Sequence, residues 1–123
     1  MQLAGRMPDQ AFTERTFAFA CQVVRVYRTL SRTPNFPIGI ARQLLHAGTS
    51  VGANVEESRA ASSKRDLAAR LGIALREARE TKYWLRLIVA TDLAPDVPLG
   101  EALAEVDELV AILTTTVRRL RQG

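Results

Sequence analysis

Apolar residues recur along this chain at alternating intervals of four and three, the spacing of one face of an α-helix, and they do so in four separate segments. In the first, Phe12, Thr16, Phe19, Val23, Val26 and Leu30 form a seam, and Asp9 is placed to cap its start. Thr33-Pro-Asn-Phe-Pro37 ends it, because two prolines three residues apart break a helix, while Pro37 suits the first turn of the next. The second segment carries Leu44, Gly48, Val51 and Val55 on one stripe with Ala41, Leu45 and Gly52 beside it. Each glycine costs about 1 kcal/mol of helix propensity relative to alanine. Close approach of a neighbouring helix is the expected compensation; a loosely wound helix is the alternative.

The third segment opens at Ser62 or Ser63, where Ser63-Lys-Arg-Asp66 has the form of a capping box with Asp in place of Glu. Its seam runs through Leu67, Leu71, Ala74, Ala78, Thr81, Leu85 and Ile88. A polar, proline-bearing turn spans Asp92 to Pro98. Leu99, Leu103, Val106, Val110, Leu113, Val117 and Leu120 then repeat four-three without a miss. Four seams joined by short connections predict an all-α chain, an antiparallel up-down-up-down four-helix bundle, with helices about 10–32, 38–60, 63–91 and 99–121 in a single domain, 1–123. At 1.5 Å per residue the bundle is roughly 35 to 40 Å long.

Composition changes this picture little. With 47% hydrophobic and 24% charged residues, the 123-residue chain can bury one continuous core, so disorder is not expected. The longest run without a formal charge, Gln43 to Val55, falls short of a membrane span, and Met1 to Asp9 lacks the apolar segment of a signal peptide. A lone Cys21 excludes an intrachain disulfide and fits a reducing cytoplasm. The expected location is therefore cytoplasmic, with no membrane partner.

The net charge of +4 conceals segregation: residues 92–117 hold acidic but no basic side chains, and Arg118, Arg119 and Arg121 follow directly. Acids opening the last helix and arginines closing it also suit the helix dipole. Up-down topology would bring Arg59, Lys64, Arg65, Arg118, Arg119 and Arg121 to one end, the candidate surface for RNA or DNA. Two further stripes, Arg25, Arg28 and Arg32 on the first helix and Arg76, Arg79, Lys82 and Arg86 on the third, face away from their seams. Solvated arginine faces are ordinary, and no aromatic side chains are interleaved with the basic end to stack bases.

Catalytic chemistry is not written in the residues. The only histidine, His46, lies opposite the seam and lacks the Glu-x-x-His spacing of di-metal bundles, so no metal site is expected. Glu77 and Glu80 share a helix face but read more readily as a solvated or interfacial stripe than as an acid-base pair. Cys21 has no activating charge beside it in sequence and reads as a packing residue. No catalytic residue, no cofactor and no enzymatic activity are expected. The third helix has a second apolar face instead: Ile73, Tyr83, Trp84 and Leu87, with Glu77 and Glu80 among them, lie roughly 90° or more from the seam. They either cover a neighbouring helix or form the core of an interface between copies of the chain. Self-association is the expectation.

Gln43-Leu-Leu-His-Ala-Gly-Thr-Ser-Val-Gly-Ala-Asn-Val-Glu-Glu-Ser58, then Ser62-Ser-Lys-Arg-Asp-Leu67, then Ile73-Ala-Leu-Arg-Glu-Ala-Arg-Glu-Thr-Lys-Tyr-Trp-Leu85, resembles the bacterial four-helix-bundle family encoded in intervening sequences of 23S ribosomal RNA genes. That family is related to the accessory variability determinant of diversity-generating retroelements. The resemblance implies a homopentamer and, in the retroelement branch, a basic surface that binds nucleic acid and a partner reverse transcriptase. Leu45 and His46 stand where the family often carries a basic pair, which removes one charged contribution to such binding. Asn54 and Glu57 fall on the family's Asn-aliphatic-x-Glu signature, and the residues suggest only hydrogen bonding at a helix end for them. The expected protein is a non-enzymatic, homo-oligomeric scaffold that binds nucleic acid, or alternatively a protein-protein adaptor such as a reverse-transcriptase accessory, or a stand-alone scaffold without nucleic-acid binding.

Overall fold

The computed structural model describes residues 6–123, which form four helices, α1 (Gln10–Ser31), α2 (Ile38–Ser58), α3 (Lys64–Ala90) and α4 (Gly100–Gln122), and no strand. Their ends follow from local chemistry. The Asp9 carboxylate accepts a hydrogen bond from the Phe12 amide at 2.8 Å, satisfying one of the free amides of the first turn of α1. Asn35 in the α1–α2 turn and Asp92 after α3 take positive φ angles of 64° and 55°, a conformation that these two residue types tolerate better than most.

The box at the start of α3 forms with one change. Ser63 Oγ accepts from the Asp66 amide at 3.0 Å, and the Asp66 carboxylate reaches back to the amide of Ser62, one residue before the cap, also at 3.0 Å. Arg70, one turn on, donates to the same carboxylate at 3.0 Å. Together these donors hold the Asp66 carboxyl below the usual carboxylate range, the Ser62 amide contributing most.

Each helix packs closely on the next in sequence, whereas α1 and α4 meet over a thinner contact, and the backbones of the diagonal pairs α1/α3 and α2/α4 do not approach closely. The arrangement is an antiparallel square with one lightly closed side. Phe19, Leu30, Leu44, Leu71, Leu85, Ile88, Leu109 and Leu113 are the largest side chains fully buried in it. Most seam positions are interior, but the apolar stripe is wider than one line. In α4, Ala102 and Leu109 are buried while Leu103 and Val110 are only half-buried. The buried hydroxyls of Thr16 and Thr81 donate to the carbonyls of Thr13 and Glu77 within their own helices, so neither is left unsatisfied.

The α1–α2 contact depends on glycine. A Cβ at Gly48 would stand 2.6 Å from both γ-carbons of Val23, and one at Gly52 would stand 3.0 Å from the carbonyl oxygen of Thr16. The propensity lost at these positions is thus offset by close helix approach, as the sequence pattern anticipates. On the thin side, Arg15 makes a bidentate pair with Glu105, at 2.8 and 2.9 Å, and a third bond to Glu108 at 3.0 Å. These two carboxylates hold the guanidinium firmly in its charged form.

Two outcomes test these contacts. Gly48→Ala should destabilise the chain by about 1 to 3 kcal/mol despite its better helix propensity, since Val23 is stiff at χ1. Combining it with Val23→Ala should cost less than the two single changes added together; urea unfolding of the four-member cycle measures the coupling. Asp66 has a lowered pKa in the fold, so its contribution is complete above the ordinary value of about 3.9 and is lost as pH falls through the lowered one. Thermal melts of wild type and Asp66→Asn should differ by a constant amount above pH of about 5 and converge in more acidic solution.

Candidate functional surfaces

The up-down path places the start of α1, the α2–α3 turn, the start of α3 and the end of α4 at one pole. A cleft of about 700 Å³ opens there, with Arg6, Arg59, Lys64 and Arg119 around it, Ser62 and Ser63 on one wall, and Met7, Pro8, Leu67 and Leu120 supplying apolar surface. A second depression of about 550 Å³, lined by Lys64, Arg65 and Arg121 with Ala68 and Leu120, adjoins it. Lys64 borders both. Five of the six basic residues expected at this end therefore share two adjoining concavities. Arg118 is exposed and lines neither, and Arg6 joins the group from the segment ahead of α1.

Two of the acidic residues at the same pole are engaged, while Glu56 is exposed and in no ion pair among the described residues. Arg70 pairs with Asp66 at 3.0 Å and with Glu57 at 3.5 Å. Arg59 donates to the neutral Gln10 amide oxygen at 2.6 Å, which fixes the guanidinium without cancelling its charge. Among the described residues, none of Arg59, Lys64, Arg65, Arg119 and Arg121 takes part in an ion pair. The concavities thus set basic side chains that take part in no ion pair beside apolar surface. The i,i+4 spacing of Asp66 and Arg70 was the sequence signal for this local neutralisation.

The second apolar face of α3 is divided. Trp84 and Leu87 are half-buried, Trp84 packing partly against the core of its own bundle, whereas Ile73 and Tyr83 remain 38% and 54% exposed. The Tyr83 and Trp84 rings meet edge to face with centroids 5.1 Å apart. Trp84 Nε1 donates to Glu80 at 3.1 Å, so Glu80 serves as a hydrogen-bond partner on this face. Glu77 holds one carboxylate oxygen buried with no hydrogen-bond donor. Asn54 donates to the Ser50 carbonyl at 2.8 Å and Glu57 pairs with Arg70, both structural contacts around the end of α2.

The remaining candidates stand apart. His46 is exposed and Cys21 half-buried. Among the described residues, no three His, Cys, Asp or Glu side chains gather as a metal site requires, and no helix is long and apolar enough to cross a membrane. Arg25 and Arg28 are exposed on α1 and Arg32 at its C-cap, and Arg76, Arg79 and Arg86 are exposed on α3, while Lys82 is tied to Asp107 of α4 at 2.7 Å. Since α1 and α3 are diagonal, the two stripes do not merge on one chain. One surface is absent from the sequence-based candidates: Phe17, 63% exposed, with Val24 and Ile38 at 39% and 41%. Phe17, Cys21 and Val24 repeat four-three, one position out of phase with the core seam, and that spacing was its signal.

No curated protein sequence matches the chain. The crystal structure of a protein of unknown function from the S23 ribosomal protein family of Bacteroides thetaiotaomicron is similar, with a TM-score of 0.78 and 30% sequence identity, over 85% of this chain and 96% of that one. The family model described as 23S rRNA-intervening sequence protein matches residues 9–115, from the α1 cap to the last turns of α4. By that match the chain belongs to the 23S rRNA-intervening sequence protein family.

Proposed function

We propose that this protein is a non-enzymatic, self-associating four-helix scaffold whose basic pole binds RNA or DNA through the phosphate backbone. The observation that carries the reading is the convergence of Arg59, Lys64 and Arg119 on one cleft, with Arg65 and Arg121 next to it, while Arg70 pairs with Asp66 and Glu57 nearby. Binding of this kind follows charge rather than base sequence and weakens steeply as salt displaces the protein from the phosphates. Self-association would multiply the pole: copies arranged side by side with α1 pointing the same way present their clefts on one common side, and several weak contacts then act together. The exposed and half-buried apolar residues of α3 are the observation favouring such association.

Mobility-shift titrations with single-stranded RNA and duplex DNA at about 50 and 200 mM salt test the proposal. Binding should be present at the lower salt, fall by at least about tenfold at the higher, and differ little between unrelated sequences. Lys64→Glu with Arg119→Glu should weaken it further and flatten its salt dependence, whereas Arg76→Glu with Arg79→Glu should have a smaller effect. No detectable binding at low salt would overturn the nucleic-acid reading and favour an adaptor for a protein partner.

A further inference from the structure

We infer that the cleft at the basic pole holds the end of a nucleic-acid strand, with a terminal phosphate monoester at its rim, rather than a stretch of internal backbone. The inference rests on the nucleic-acid reading above and names the part of the ligand that the cleft takes.

The cleft is a pit rather than a groove. Its lining comes from every helix end at this pole: Met7 and Pro8 ahead of α1, Ser58 at the end of α2, Leu67 in the first turn of α3, and Thr116 and Leu120 in the last turns of α4. A groove running along one helix lets a strand enter at one side and leave at the other. A space walled by four helix ends leads inward instead, so a strand passing over it lies across the rim and a terminus goes in. Its volume of about 700 Å³ is within the range of sites that hold a small organic group.

Charged and apolar lining are sorted by depth. Arg6, Arg59, Lys64 and Arg119 are exposed, whereas Leu67, Thr116 and Leu120 are half-buried and Ser58 is 1% exposed. The hydroxyls of Ser58 and Thr116 already donate to the Val55 and Ile112 carbonyls, at 2.7 and 2.8 Å, so the floor supplies no hydroxyl proton to a phosphate oxygen. The phosphate therefore belongs at the rim, and the carbon of the terminal nucleotide meets the floor. No carboxylate lines the cleft, and none of the four cations takes part in an ion pair among the described residues. Arg59 is held by the Gln10 amide oxygen at 2.6 Å, so one guanidinium is already positioned.

Charge separates the two kinds of phosphate. An internal phosphodiester carries one negative charge; a terminal monoester carries about 1.5 to 2, has three acceptor oxygens and loses its second proton at a pKa of about 6. Converging cations gain more from the monoester, because each further oxygen accepts a charge-assisted hydrogen bond. No histidine lines the cleft, and the acids of the surrounding elements, Asp9, Glu56, Glu57 and Asp66, lie outside its lining. Arginine and lysine side chains titrate well above neutrality, so between about pH 7.5 and about pH 5.5 the ligand changes charge and the cleft does not.

Short single-stranded RNAs of one sequence, labelled internally and ending in a 5′-phosphate, a 3′-phosphate or hydroxyls at both ends, give the test by fluorescence anisotropy. A phosphorylated RNA should bind wild type about tenfold more tightly than the hydroxyl-ended one, and the end that carries the gain is the end that the cleft takes. A hydroxyl-ended strand one nucleotide longer, which adds charge without a monoester, should show no such gain. At about pH 5.5 the monoester has taken up a proton and the gain should shrink, while binding of the hydroxyl-ended RNA changes little. Lys64→Ala with Arg119→Ala should abolish the gain and Arg76→Ala with Arg79→Ala should keep it, each pair checked for helicity by circular dichroism. Should the cleft pair fail to fold, Arg59→Ala replaces it. Equal binding of phosphorylated and hydroxyl-ended RNA overturns the inference and leaves the nucleic-acid reading standing. A gain that survives the cleft substitutions, or that the longer hydroxyl-ended strand reproduces, also overturns it. No binding of any of these RNAs removes both.

Discussion

The contact of Val23 with Gly48, and of the Thr16 carbonyl with Gly52, sets how near α1 comes to α2, and much of the remaining architecture follows from it. Removing two side chains from the α1-facing side of α2 lets the helix axes approach and buries Phe19 and Val23 almost completely. The same absence has a cost at the surface. Gly52 has no side chain to lay over its neighbour Phe17, which remains 63% exposed. A tight interior and an open apolar flank are two results of one choice of residue.

The fold was legible because its signals are local and mutually consistent: four-three spacing in every segment, prolines at 34 and 37, a capping Asp9 and Ser63, and glycines aligned with the stripe of α2. The pole was legible for the same reason, since up-down topology alone decides which helix ends lie together. What the spacing did not display was pairing over distance. Arg15 bridging to Glu105 and Glu108 joins residues about 90 positions apart, and periodicity records the face of a residue rather than its partner. Nor does spacing give depth: it left open whether Trp84 covers a neighbouring helix or faces another copy, and in the fold Trp84 is half-buried against the core of its own bundle. Arg6 escaped notice because it precedes the first helical pattern and reaches the cleft through an irregular segment.

Electrostatics then separate the two ends of the account. Arg70 draws Asp66 and Glu57 to itself, so neither pairs with the basic residues around the cleft. On the sides the charge is mixed: Glu14 shares the face of α1 that carries Arg25 and Arg28, and Arg76 lies one turn from Glu80 on α3. Membership in the 23S rRNA-intervening sequence protein family accounts for the shared bundle; the distribution of charge and exposed carbon on this chain supports the reading of what it binds.

Native mass spectrometry of the wild-type protein with a short single-stranded RNA tests both halves of that reading in one measurement. The account predicts a particle whose protein mass is a small whole multiple of 13.6 kDa and which carries bound RNA. Chains of 13.6 kDa flying alone, without RNA, would contradict it.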